Sequence, residues 1–403
     1  MADSTAVEGD SRYLTTAEVA HRLDVKEATV YAYVSRGLLR SVRARGGRGS
    51  VFRQDEVEGL ADRRRDGRQA SGAVERIRTE LTLIADDELY FRGHRAVDLA
   101  TTTTVESVAH LLWTGDLADR PPFPAPADLV ESAEAAIAVL PRTARLTDRL
   151  RVAVVALGAL DPLRFALSPE SVIRAGETLL GVLAAAHAPH APQGDTVALR
   201  VWPVLTSRPV RARLLTAVLI LLADHDLAVS TVAARIAANT RANPYAVVSA
   251  GLGALDGPRH GAASSLAYRF LGEALSDPID ALSDRLRTSG TVPGFGHRVY
   301  QRRDPRAELL ITLLRESGEA ETPLRALDAV TERLRDQNPS AFPNIDLALA
   351  AMMHAYDMRP DAGEAVFAVS RAVGWLAHAI EEYREPALRF RPVGVYTGAR
   401  PAH

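Results

Sequence analysis

Three short segments concentrate the residues best suited to moving protons. Asp256-Gly257-Pro258-Arg259-His260-Gly261 and Pro293-Gly294-Phe295-Gly296-His297-Arg298-Val299-Tyr300 each set a histidine among glycines, and the second continues to Asp304-Pro305-Arg306-Ala307. The third, Phe342-Pro343-Asn344-Ile345-Asp346, is a Pro-Asn-x-Asp turn. Glycine lets backbone approach a ligand closely, and proline fixes the turn that presents the side chain. A lone histidine is more often structural than catalytic, but two glycine-flanked histidines beside such a turn favour a site. With no cysteine in the chain, disulfides, thiolate zinc sites, iron–sulfur clusters and a thiol nucleophile are excluded. The chemistry must come from His, Asp, Glu, Ser, Arg or a bound cofactor.

The elements that carry these segments are predicted to be helices. From about residue 75 onward, Ala/Leu/Val/Arg stretches with apolar residues every three or four positions dominate, as at 214–223, 231–238 and 362–380. Strand-like alternation is confined to 81–92, while 121–126 and 187–195 read as loops. The 403 residues suggest two or three domains. The longest strongly apolar run, 214–223, holds 10 residues between Arg213 and Asp224, against ~20 needed to span a bilayer. The first ten residues lack the basic start and apolar stretch of a signal peptide, so a cytoplasmic protein is expected.

The formal charge of -2 conceals an asymmetry. Residues 13–68 carry 12 cations, 11 arginines and Lys26, against 8 acids, a local +4 that leaves -6 for the remainder. Residues 1–12 are small, polar and acidic and are expected to be disordered. Within 13–68, Thr15 or Thr16 suits the N-cap of a first helix, Asp24-Val25-Lys26 forms a turn, and a second helix runs over 27–36 to Gly37. A hairpin follows over 39–53 with Gly46-Gly47-Arg48-Gly49 at its tip, and a further helix over 54–65. This is a winged helix-turn-helix plan. The stretch YLTTAEVAHRLDVKEATVYAYVSRGLL resembles the helix-turn-helix of the excisionase and MerR-type families. That resemblance implies DNA contacts from Lys26, Thr29, Tyr31, Ala32 and Arg36, with Arg45 and Arg48 on the wing. The alternative is a small docking or dimerisation element.

The segments GPRHG, GFGHRVYQRRDPRA and FPNID, followed by FAVSRAVGWLAHAIEE, resemble the signature segments of the citrate synthase family, in the family's order. LIADDELYFRGH and LLADHDLAVSTVAARI match two more. The resemblance, from about residue 80 to Gly398, implies a mainly α, two-domain helical fold. Residues 72–261 and 358–403 would form the large domain and 262–357 the small one, preceded by the winged helix-turn-helix domain at 13–68.

The resemblance also implies a reaction. Condensing acetyl-CoA with oxaloacetate needs a base for a weakly acidic methyl proton, a donor for the enolate oxygen and an acid for the acceptor carbonyl. Asp346 would be the base, His260 the donor to the thioester carbonyl and His297 the acid toward oxaloacetate. His225, Arg306 and Arg371 match the family's oxaloacetate ligands, and guanidinium forks suit a dicarboxylate. Arg391 matches an arginine supplied by the partner subunit of a homodimer. Val292, Pro293, Gly294, Phe295 and Gly296 resemble the loop that contacts the adenine of coenzyme A. Hydrolysis of the citryl thioester would complete the reaction without a metal or a permanently bound cofactor. His378 reads as a packing or interface residue.

The sequence departs from the family pattern at Ala228, where asparagine is usual, and at Ala348-Leu349-Ala350, where Tyr-Ser-Gly is usual. Gln301 replaces a frequent lysine, Val393 a second arginine, and the region 184–195 is short and poor in cations. Two further readings stay open. One is a 2-methylcitrate synthase using propionyl-CoA. The other is a DNA-binding regulator that uses the citrate synthase-like body as a sensor.

Overall fold

In a computed structural model, residues 13–23, 25–35, 39–43, 50–54, 56–58, 77–187, 196–257, 260–390 and 397–398 are described. The chain divides into two compact units, one drawn from Met1–Arg78 and Phe390–His403, the other Thr79–Arg389.

The first unit is organised by local chemistry. Thr15 caps the helix Thr16–Arg22 and Glu18 reaches back to the Thr15 backbone N–H at 2.7 Å, a complete capping box. The second helix is Glu27–Ser35. Strands Ser41–Arg43 and Ser50–Arg53 pair antiparallel as expected. Tyr13–Thr15 adds a strand the sequence reading lacked, pairing antiparallel with Ser50–Arg53 on its other edge. Val19, Leu23, Val30, Leu39, Phe52 and Val57 close the small core. Of the helix expected over 54–65, residues 54 and 56–58 are helical, and the rest lies outside the described residues, as do the tail 1–12 and the wing tip.

Among its described residues the second unit is helical apart from one small antiparallel sheet. Four of its helices begin with a capping side chain followed by proline: Ser168-Pro169, Asn243-Pro244, Asp277-Pro278 and Asp304-Pro305. The cap accepts an otherwise orphaned backbone N–H, and proline's missing N–H does no harm in the first turn. The last long helix, Ala362–Arg384, is buried along most of its length and serves as the spine of the unit. Gly251 lets a neighbouring helix lie directly on it, since a Cβ there would sit 2.4 Å from the Trp375 ring. The sheet is formed by Thr82–Ala85, Glu88–Phe91 and the short His94–Arg95. Its first turn, Asp86-Asp87, has φ of 52° and 59°, the left-handed pair that a two-residue hairpin requires. No helix among the described residues is long and apolar enough to cross a membrane.

Candidate functional site

Two loops that carry proposed site residues are joined by backbone pairing. Phe295 bridges Pro343 antiparallel, Gly296 N–H donates to Phe342 O at 2.9 Å, and Asn344 N–H donates to Gly294 O at 2.9 Å. Asn344 also donates its amide to Gly296 O at 2.9 Å. Gly294 has φ of +85°, and a Cβ there would meet Leu347 Cβ at 2.6 Å, so the loop both needs and exploits the missing side chain. The sequence segments around His297 and Asp346 are thereby held as one piece.

Asp346 sits in the first turn of the helix Ile345–Ala355, but the cap is Asn344, whose side chain accepts from Asp346 N–H at 3.0 Å. The Asp346 carboxylate is half-buried, and among the described residues nothing hydrogen-bonds it. Burial raises its pKa to about 6, with Arg306 pulling it down and Asp304 pushing it up.

Arg306 is buried and held by Asp304 in a fork: Nε to Oδ1 at 3.0 Å and a terminal nitrogen to Oδ2 at 2.8 Å. Burial opposes its charge, but Asp304 holds its pKa above the ordinary value. Its guanidinium lies 5.2 Å from the centroid of the Tyr300 ring. Tyr300 is buried between the histidines: its hydroxyl is 3.1 Å from His225 Nε2, and its ring lies 5.4 Å from that of His225 and 4.8 Å from that of His297. The rings of His225 and His297 meet edge to face at 5.1 Å.

The hydrogen bonds constrain the tautomers of two histidines. His297 Nδ1 accepts the backbone N–H groups of Val299 and Tyr300 at 3.0 and 3.3 Å, so its proton is on Nε2. His260 Nε2 is 2.7 Å from the Ser230 hydroxyl. When that hydroxyl donates, the ring carries its proton on Nδ1. Burial lowers both pKa values to about 4, with Arg371 acting on His260 and Arg306 on His297. Burial, Arg306 and Arg371 push His225 well below the ordinary value. All three rings are therefore neutral donors at pH 7.

Arg371, on the spine helix, donates Nε to Leu222 O at 2.8 Å, and burial lowers its pKa to about 10 with Asp224 opposing the shift. The His260 turn is fixed by Gly261 N–H to Leu255 O at 2.9 Å, with no room for a Cβ, and Arg145 and Arg151 bind Asp256 at its start. The hairpin tip holds the Tyr300 segment from the other side, Asp87 accepting Gln301 N–H at 2.6 Å and Arg302 N–H at 3.1 Å.

His225, His297 and Tyr300 are thus in mutual contact, with Arg306 against the Tyr300 ring, while Asp346 lies within electrostatic reach of Arg306 and His260 within that of Arg371. Val292 to Gly296 form the loop bridged to Phe342–Asn344. Arg391, Arg36, Arg45 and Arg48 lie outside the described residues; Lys26 and Tyr31 are exposed and Thr29 is partly buried. No cluster of three or more His, Cys, Asp or Glu suited to a metal occurs among the described residues.

Sequence reasoning gave no role to Tyr300, Ser230, Asp224, Asp87 or Arg235, and took His378 for a packing or interface residue. A signal was present for three of them. Asp224 ends the most apolar run, while Arg235 and His378 interrupt alanine-rich helices, where a polar group must have a partner.

Neutral histidines, a high-pKa carboxylate and two buried guanidiniums on a helical scaffold define a site for acid–base chemistry on an anionic substrate. Residues 72–393 match the citrate synthase C-terminal domain, and residues 13–65 match a helix-turn-helix domain. The chain is 29% identical over 350 residues to 2-methylcitrate synthase 2 of Corynebacterium glutamicum, covering 77% of this chain and 89% of that one. It is 30% identical over 356 residues to citrate synthase 2 of Bacillus subtilis, covering 79% and 93%. The fold is similar to that of citrate synthase from Thermoplasma acidophilum in a ternary complex with carboxymethyl coenzyme A and oxaloacetate, with a TM-score of 0.70, 22% identity and coverage of 82% of this chain and 96% of that one. The chain belongs to the citrate synthase family and carries an N-terminal helix-turn-helix domain.

Proposed function

We propose that this protein condenses an acyl-CoA thioester with oxaloacetate and hydrolyses the resulting thioester, with acetyl-CoA giving citrate. The observation that carries the reading is Asp346, a half-buried carboxylate relieved of capping by Asn344 and raised to about 6. A carboxylate of that basicity is ionised at pH 7 yet basic enough to take a methyl proton from a thioester held against it.

The remaining roles follow from the tautomers. Nδ1–H of His260, with Ser230 satisfying Nε2, donates to the thioester carbonyl as the enolate forms. Nε2–H of His297 protonates the oxaloacetate carbonyl as the carbon–carbon bond closes. His225, Arg306 and Arg371 bind the dicarboxylate, and Arg391 from a second subunit completes the set in a homodimer. Exposed Val155, Leu160, Leu163 and Phe165 support a protein interface on a single copy. The backbone of 292–296 receives the adenine of coenzyme A. Closure of residues 262–357 over the substrates excludes water while the enolate exists. The cytoplasm is the expected location.

A coenzyme A release assay tests the reaction. The chain has no cysteine, so a thiol-reactive chromophore reports only the product. Full-length protein with oxaloacetate should release coenzyme A from acetyl-CoA; no release from either acetyl-CoA or propionyl-CoA would defeat the proposal. The ratio of kcat/KM for the two donors separates citrate from 2-methylcitrate synthesis, a discrimination worth only ~1–3 kcal/mol per methylene.

The helix-turn-helix domain supports a second role in DNA binding, with Thr29 and Tyr31 on the second helix, Lys26 immediately before it, and Arg36, Arg45 and Arg48 outside the described residues. A salt-dependent, sequence-specific mobility shift is expected, and binding that never exceeds the non-specific level would refute it.

A further inference from the structure

The segment that ends at His225 lies on one face of the spine helix, gripped residue by residue. The Ser370 hydroxyl donates to Leu219 O, Arg371 Nε donates to Leu222 O at 2.8 Å, and Gly374 N–H donates to Ala223 O at 3.1 Å. His378 Nε2 then reaches the Asp224 carboxylate, 3.3 Å from Oδ1 and 3.4 Å from Oδ2. Positions 370, 371, 374 and 378 share a helix face, and they meet 219, 222, 223 and 224 in order. Gly374 allows the contact, because a Cβ there would lie 2.4 Å from Ala223 O and 2.5 Å from Asp224 Oδ1.

The far side of His378 is equally constrained. Arg235 donates to its Nδ1 at 2.8 Å, and a guanidinium has no lone pair to offer in return. The ring proton is therefore on Nε2, directed at Asp224. Arg235 is anchored by Glu382 at 3.0 Å and Glu381 at 2.7 Å, and Thr82 donates to Asp224 Oδ2 at 2.5 Å from the hairpin. Arg235, His378, Asp224 and Glu382 are all fully buried. The string Glu382–Arg235–His378–Asp224–Thr82 thus passes through the residue next to His225, with Asp224 also acting electrostatically on Arg371.

We propose that His378 is a positioning residue for the dicarboxylate site: by donating to Asp224 it locks residues 222–225 in the register that presents His225 and places the Asp224 carboxylate opposite Arg371. It touches no substrate itself. This rests on the oxaloacetate-binding reading above and adds to it a residue outside the proposed catalytic and ligand set.

Two amides separate the two arms of the ring. Asparagine at 378 places an oxygen near Nδ1 and keeps the Arg235 contact while losing the donor to Asp224; glutamine places an N–H near Nε2 and keeps that donor. Calorimetric titration of full-length protein with oxaloacetate should show His378→Asn weakening Kd about tenfold and His378→Gln staying within about threefold of wild type. KM for the acyl thioester should be unchanged in both. Equal oxaloacetate affinity in wild type and His378→Asn would overturn the proposal, as would losses in both variants that follow only their melting temperatures. Wild-type protein that does not bind oxaloacetate would overturn the dicarboxylate reading and this inference with it; binding by wild type with no effect of His378→Asn would overturn this inference alone.

Discussion

Asp304 holds Arg306 through two parallel contacts of 3.0 and 2.8 Å, and the same carboxylate accepts the backbone N–H of Ile345 at 3.0 Å. One buried side chain therefore caps the helix Pro305–Ser317, orients its guanidinium and ties it to the start of the helix that bears Asp346. The distance between a proposed substrate cation and the proposed base is set by a residue with neither role.

Asp304→Ala should consequently lower both binding and stability. Removing one partner of a buried pair leaves an uncompensated charge and costs about 3–5 kcal/mol. Urea denaturation should show a loss of that order, and kcat/KM for oxaloacetate should fall about a hundredfold. A stable variant with unchanged kcat/KM would rule out the coupling.

Activity should have an acid limb governed by Asp346. The base works ionised, so kcat should fall as pH drops through about 6, the value to which burial raises this carboxylate. Stability runs in the opposite sense. A folded-state pKa above the unfolded value of about 3.9 stabilises below pH ~4, and that contribution is lost as pH rises through about 6. Asp346→Asn should abolish turnover yet raise the melting temperature at pH 8, measured by calorimetry.

Ser230→Ala should release His260 Nε2 and with it the preference for a proton on Nδ1. Turnover should fall about 10–100-fold, less than the ~10²–10⁴-fold that a general acid–base group itself contributes because Ser230 acts only through His260, with little change in KM for oxaloacetate. Nitrogen NMR of the His260 ring should report the altered tautomer.

Gly294→Val should strain the loop that joins His297 to Asp346. A left-handed φ costs a β-branched residue about 1–3 kcal/mol, and the added Cβ would also collide with Leu347. Reduced stability together with a raised KM for the acyl thioester is expected from denaturation and steady-state kinetics.

Much of the fold was legible because its signals are local. Capping residues before Pro169, Pro244, Pro278 and Pro305 mark helix starts through hydrogen bonds spanning two or three residues. Thr15 and Glu18 do the same in the first unit. The strand Tyr13–Thr15 was not legible, since its partner is about forty residues away and three residues carry no useful alternation. The three glycine- and proline-rich segments likewise announced themselves by residue type.

The sequence by itself narrowed the chemistry to His, Asp, Glu, Ser, Arg or a bound cofactor, and its resemblance to the citrate synthase family pointed to the histidines, Asp346 and the arginines. Tertiary structure alone decided their protonation and aim. The about 6 of Asp346 comes from burial, and the partner of His260 Nε2 is Ser230, 30 residues away; the Nε2 proton of His297 is the exception, set by two backbone donors within its own loop. His378 shows the difference most plainly. In sequence it is one polar residue in an apolar helix, and only the packing of residues 219–224 along that helix gives it Asp224 on one side and Arg235 on the other. Burial and long-range hydrogen bonds set these properties, and neither is encoded in any single local stretch.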